Sequence, residues 1–491
     1  MRYCLILLIL LPAAVLCGCV AGPETSDAGQ AYEQGIAEYQ AGDYRSAEAL
    51  FVEAYALAES DGDTELALSA KKDLFRARNM YLEFPMDRTE AEREMKEKIP
   101  GIPDDEISAW LDGEAQKIVT GGETLYFGDT AENYLYANPE IIRNQMEGVF
   151  DFDRISQYVF TGESPDTEKI RYTGFERMVI PDHIVPDTGT IRIWYPLPVD
   201  TGYQTEISIN NISYPEYIRA GPITSGDIGY IYYEIPADEI DGDLIISADI
   251  SFTSYGRGYD VDPEKVGTYD KTDPDYIRYT GSERNIEVTD ETRELAENIV
   301  GDETNPYRQA GMIYSYIIDT YPYSKVPHLY IDTKQPKVAE STYMLETGHG
   351  DCGTQGMLFS ALCRSLGIPA RTTGGYQMII FGNPSSHFWA EYYLPGYGWV
   401  PVDPTMADVS DWVDIPENER TVFKNYYAEY LDPERMVIQK NVDEPMTPPL
   451  PEDTTGFRLV RQYPAILADT AEYNLGINHD WTFEVNLVAT A

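Results

Sequence analysis

Gly350-Asp351-Cys352, then Leu366-Gly367-Ile368-Pro369-Ala370-Arg371, then His387-Phe388-Trp389-Ala390-Glu391, then Gly398-Trp399-Val400-Pro401-Val402-Asp403-Pro404-Thr405 are the blocks from which the fold is read. Residues 352–366 place Met357, Leu358, Ala361, Leu362 and Leu366 at helical spacing, and Gly367 ends the run. Cys352 therefore begins a helix, where unpaired N–H groups and the positive end of the dipole favour thiolate over thiol. Residues 386–393 alternate as a strand does, with His387, Trp389, Glu391 and Tyr393 on one face. Parity then decides where Asp403 falls. A closure pairing Leu394 with Trp399 would turn His387 and Asp403 to opposite faces. A three-residue loop, 395–397, pairs Leu394 with Gly398 and sets Asp403 across from Trp389, on the His387 face. Gly396 and Gly398 suit the left-handed conformation of such a loop, so we expect it, or a bulge with the same effect.

A thiol nucleophile needs a base that can later return the proton, and the base needs an orienting group. Cys352, His387 and Asp403 have the right types for these roles. The four blocks, in this order, resemble the transglutaminase-like superfamily of papain-related cysteine enzymes over roughly residues 285–408. The resemblance implies an α+β fold with Cys352, His387 and Asp403 as catalytic triad. It also implies chemistry through a thioester, giving hydrolysis of an amide or transfer of the acyl group to an amine, with no cofactor. Trp389 and Trp399 are candidates for shaping the substrate cleft, although core packing would explain them equally. The donor that completes an oxyanion hole beside the Cys352 N–H is not assignable from sequence. His349, Cys352 and His387 are residue types that bind zinc, but no paired Cys or His spacing supports a metal, and none is expected. His183, His328 and His479 read as ordinary.

With 491 residues, two to four structural units are expected, and 43% hydrophobic residues including 39 Tyr describe a folded chain. A formal charge of −47 repels phosphate backbones and anionic lipid, so nucleic acid is an improbable partner. Met1-Arg2, the short apolar run 5–16 and Leu16-Cys17-Gly18-Cys19 resemble a lipoprotein signal. On this reading residues 1–18 are a cleaved signal peptide and Cys19 is the lipid-modified first residue. The protein is then exported and held at the cell surface, touching the membrane only through that lipid. Cys352 and Cys363 remain in the body. Eleven residues apart on one helix they stand roughly 16 Å apart, beyond the ~7 Å a disulfide allows.

Outside the catalytic blocks the period of the sequence changes along the chain. Residues 19–150 read as helical, with Gly35, Ala47, Phe51 and Ala54 spaced as in one tetratricopeptide-like repeat around the turn Gly42-Asp43-Tyr44, and more helix from Asp63. Such a hairpin serves as a spacer or as a site for a protein partner. Residues 165–256 alternate with period two and read as a small antiparallel β domain, whose Tyr230, Tyr232 and Tyr233 fit a sandwich face better than a ligand surface. An acidic connector, 257–275, carries Asp260, Asp262, Asp270, Asp273 and Asp275 without EF-hand spacing, which favours a solvated loop over a calcium site. Asn305-Pro306 marks the start of a helix with Ala310, Ile313 and Ile317 inward. The catalytic domain is expected over 280–440, followed by a C-terminal extension, 441–491. The functional expectation is a cell-surface cysteine hydrolase or acyltransferase acting on peptide or side-chain amides of a peptide or protein substrate. The alternative is a catalytically inactive envelope binding or assembly protein that uses the helical repeat and the β domain.

Overall fold

The helix that carries the first block runs over Cys352–Ser365, and every residue from Gly353 to Ser365 is buried. Burial therefore extends beyond the helical stripe of Met357, Leu358, Ala361, Leu362 and Leu366 read from the sequence to the whole circumference. A sheet covers one side and the helices Asp290–Val300, Pro306–Thr320 and Glu340–Thr347 cover the other, so no face is left for water. Leu358, Phe359 and Leu362 are fully enclosed, each stabilising the fold by roughly 1.5–3 kcal/mol relative to exposure. Asn305 caps Pro306–Thr320 as read, and Ala310, Ile313 and Ile317 point inward. The computed structural model describes residues 26–146, 152–160, 168–334, 336–378, 383–450, 462–469 and 481–490. Cys19 and the signal segment lie outside these residues, as does His479.

The sheet has the order Gly398–Val402, Ser385–Leu394, Ala370–Gln377, Arg435–Gln439, and every pairing is antiparallel. Leu394 pairs with Gly398 and Ala390 with Val402. The odd loop is therefore present, with φ of 95° at Gly396 and 94° at Gly398. Phe388, Ala390 and Tyr392 point toward the helix, while His387, Trp389 and Glu391 occupy the other face.

On that second face Trp389 packs with Met406, Trp412, Phe423 and Tyr427, and a β sandwich abuts the sheet. One of its sheets has the order Ala465–Ala468, Thr190–Pro196, Tyr230–Pro236, Ile218–Ile223; the other has Thr482–Thr490, Lys169–Ile180, Leu244–Tyr255, Gln204–Asn210. The alternation at 244–255 does its expected work, with Leu244, Ile246, Ala248, Ile250 and Phe252 inside. Tyr230, Tyr232 and Tyr233 are buried. Two features differ from the sequence reading. The segment after 441 contributes a strand to each sheet, because Phe483, Val485 and Leu487 alternate against Lys169–Ile180. The sandwich core also runs on into the sheet of His387 through Tyr376, Met378, Met436 and Ile438.

The N-terminal region is three antiparallel helices, Asp27–Ala41, Tyr44–Asp61 and Thr64–Leu82, followed by shorter ones. A Cβ at Gly35 would stand 2.6 Å from the Phe51 ring, which is why glycine occurs there. A two-stranded hairpin, Lys117–Thr120 with Glu123–Tyr126, interrupts what the sequence suggested was continuous helix. Residues from this region share a core with Trp389, Met406, Trp412 and Phe423. The acidic connector is solvated as read, with Asp260, Asp270, Asp273 and Asp275 exposed. Asp262, Asp270 and Asp273 accept backbone N–H groups two residues on, and Arg257 at its start is buried and ion-paired. No helix among the described residues is long and apolar enough to cross a membrane.

Candidate active site

Cys352 is half-buried at the first position of its helix, and its N-cap is Asp351. The cap is made by Oδ1, which accepts the Thr354 N–H at 3.0 Å. Gly350 is required for closeness: a Cβ there would meet Met344 Sδ at 2.4 Å and Thr354 Oγ1 at 2.9 Å. The sulfur packs beside Phe388 and Val442, and the N–H groups of Phe388 and Gly353 face it. Phe388 directly follows His387 in the chain.

His387 is 3% exposed. Its Nε2 bonds Asp403 Oδ2 at 2.8 Å, and its ring lies 6.1 Å from that of Trp389 at an interplanar angle of 30°. Asp403 is fully buried and begins the helix Pro404–Val409, its Oδ1 accepting the Met406 N–H at 3.0 Å. The structure thus joins His387 and Asp403, which parity placed on one face, and it adds a partner that sequence did not reveal. Arg435 donates from Nη1 to the same Asp403 Oδ2 at 2.7 Å and from Nη2 to Asp432 at 2.9 Å. Burial works to raise the Asp403 pKa, but His387 and Arg435 outweigh it and hold the carboxyl at about 2.

The state of the thiol differs from expectation. Burial, reinforced by the Asp351 carboxylate, pushes Cys352 well above its ordinary value, and the Phe388 and Gly353 N–H groups do not compensate. Position at a helix start is thus insufficient for a standing thiolate here. A second histidine also bears on the site. His328 places Nε2 2.8 Å from Asp351 Oδ2 and Nδ1 3.0 Å from Glu340 Oε1. Burial opposes its charge, yet the two carboxylates prevail, so His328 is held as imidazolium well above its usual pKa. Asp351, which burial alone would raise, is held below the usual carboxylate range mainly by His328. The reading of His328 as ordinary is therefore corrected. No single-residue pattern marked it, since its partners lie 12 and 23 residues away.

Trp389 packs on His387, whereas Trp399 lies under the Arg371 guanidinium at 4.0 Å and against Tyr279. Both indoles line a cavity of about 180 Å³ whose lining contains neither Cys352 nor His387. Trp399 thus lies in this cavity, with the Arg371 guanidinium over its ring. His349 Nε2 lies 2.8 Å from the Glu114 carbonyl, and no three His, Cys, Asp or Glu among the described residues are grouped to hold a metal. Cys363 is a free, buried core thiol.

Residues 293–404 match the transglutaminase-like superfamily, so this segment is a transglutaminase-like domain within an α+β chain. An uncharacterised Haemophilus influenzae protein is 26% identical over 47% of this chain and 67% of its own length. A Pseudomonas aeruginosa protein-glutamine gamma-glutamyltransferase is 32% identical over 13% of this chain and 11% of its own length. Among solved structures, a candidate cysteine protease from Cytophaga hutchinsonii aligns over 66% of this chain and 89% of that one, at 15% identity and a TM-score of 0.39.

Proposed function

We propose that the protein is a cysteine hydrolase of transglutaminase-like type that cleaves peptide or side-chain amide bonds through a thioester on Cys352. The observation that carries this reading is the buried His387–Asp403 hydrogen bond, locked by Arg435, one residue from the Phe388 N–H that faces the sulfur. With Nε2 committed to Asp403, Nδ1 is the nitrogen that serves the thiol. The resting thiol gives its proton to His387 as sulfur attacks the carbonyl and the S–C bond forms. Collapse breaks the C–N bond, and the imidazolium returns the proton to the departing amine. Water, deprotonated by His387, then cleaves the thioester to a carboxylic acid and free Cys352. Hydrolysis is preferred to acyl transfer because water is always present and no amine-acceptor site is identified. In this reading the enzyme is exported and anchored through lipid on Cys19, its substrates being peptides or proteins at the cell surface, and the helical hairpin offers a surface to a protein partner.

The test is cleavage of envelope-derived peptides by wild type, Cys352→Ala and His387→Ala, read by mass spectrometry of the products. Loss of at least ~10³ in rate is expected for either variant. Equal turnover in all three would overturn the assignment.

A further inference from the structure

The cavity of about 180 Å³ on the far side of Trp389 lies between the catalytic sheet and the β sandwich. A single water needs only ~10–15 Å³, so the space suits a molecule of several heavy atoms. Its rim is aromatic: Tyr203 and Tyr259, joined by a 3.0 Å hydroxyl contact, stand with Trp399. Its floor is cationic. Arg257 and Arg371 both ion-pair with Glu391, so two guanidiniums share one carboxylate. Lys440 adds a further charge, and the closest carboxylate recorded for it, the nearly half-exposed Asp227, is 3.8 Å away. At the other end Arg435 is matched by Asp432 and Asp403. Counting these partners, the Arg257, Arg371 and Lys440 end holds close to two uncompensated positive charges. The chain around it carries −47.

A second observation points the same way. Arg257, 8% exposed, and Arg435, 3% exposed, each have an Nε with no acceptor, and so does the indole N–H of Trp389. All three residues line this one cavity. Buried charged donors without an acceptor are costly, and an anion with planar paired oxygens is the partner whose geometry guanidinium matches. The aromatic rim would cover the apolar part of such a molecule, as ligand sites commonly combine apolar walls with a few placed polar groups.

We propose that this cavity is a carboxylate-binding site, distinct from the catalytic thiol, that takes a small organic acid or the free carboxyl end of a peptide. Arg257, Arg371 and Lys440 hold the carboxylate, and Tyr203, Tyr259 and Trp399 enclose its carbon skeleton. Because Arg435 forms part of the lining and also holds Asp403, the site sits one residue from the base–orienter pair.

The test uses the full chain with Cys352→Ala, so that binding is read independently of catalysis. Calorimetric titration with succinate, with a tripeptide acid and with the same tripeptide as its amide, in matched chloride, separates the two sources. Heat with succinate assigns a small organic acid; heat with the peptide acid but not its amide assigns a peptide terminus. Either supports the proposal, provided that Lys440→Gln, with an unchanged melting temperature, weakens binding by roughly tenfold or more. The proposal is overturned if no carboxylate binds, if the amide binds as well as the acid, or if Lys440→Gln binds with unaltered affinity.

Discussion

A single oxygen, Asp403 Oδ2, accepts from both His387 and Arg435. Arg435→Met would leave Asp403 and Asp432 buried without their cation, and breaking such a pair costs about 3–5 kcal/mol; the urea midpoint should fall accordingly. The pH dependence has a definite sign. Asp403 falls from 3.8 to about 2 on folding, so its contribution, about 2 kcal/mol, is complete above the unfolded value and is lost as pH falls through the folded one. Asp403→Asn should therefore flatten the acid limb of the stability curve between about pH 4 and 2. The thiol gives a second prediction at this scale. With Cys352 raised by burial and Asp351, iodoacetamide labelling should climb steadily with pH into the alkaline range, as the thiolate fraction does. A flat, fast plateau at pH 5–6 would show a standing thiolate instead. Cys352, His387 and Asp403 were legible because each lies in a block with its own local pattern. Arg435 was not, since it follows Asp403 by 32 residues on a short strand with no motif around it.

The elements place these side chains by simple rules. Strand parity through a three-residue loop put Asp403 on the His387 face, and that was readable from Gly396 and Gly398 alone. What packs on each element was less readable. The helix Cys352–Ser365 is buried all round because helices lie behind it as well as a sheet in front, and one-dimensional periodicity cannot report a second cover. The short helix His328–Thr333 is the clearest case. Its His328 steadies the cap of the Cys352 helix, and its other end meets the N-terminal hairpin, where the Tyr39 hydroxyl donates to the Thr333 carbonyl at 2.9 Å. His328 is raised on folding, so its stabilisation is full below the unfolded value near 6.5 and is lost as pH rises through the folded value. We expect His328→Gln to melt lower than wild type at pH 6, with the gap closing in the alkaline range; a gap independent of pH would contradict the imidazolium assignment.

At the scale of the whole molecule, the sequence suggested units in series and the structure shows shared cores. The sandwich core includes Tyr376 and Met436 of the sheet that carries His387, and the N-terminal helices share theirs with Trp389 and Trp412. The strand Thr482–Thr490 was foreshadowed by Phe483, Val485 and Leu487 alternating with Glu484 and Asn486. Its partner strand, 307 positions earlier at Glu484↔Arg177, could not be inferred, because pairing across such a separation leaves no local trace. The charge of −47 makes a prediction of its own. Self-repulsion at the surface is screened once the Debye length falls from ~30 Å at 0.01 M to ~8 Å at 0.15 M salt. The melting temperature should therefore rise with sodium chloride over this range. The buried His387–Asp403–Arg435 cluster, being little screened, should not account for the rise, and Asp403→Asn should show the same salt slope.

The most direct test of the central claim is a stopped-flow reaction with p-nitrophenyl acetate, followed by peptide mapping. The account predicts a burst of about one p-nitrophenolate per chain, an acetyl group on Cys352, no burst in Cys352→Ala and a much slower one in His387→Ala. An undiminished burst in Cys352→Ala, or none in wild type, would contradict it.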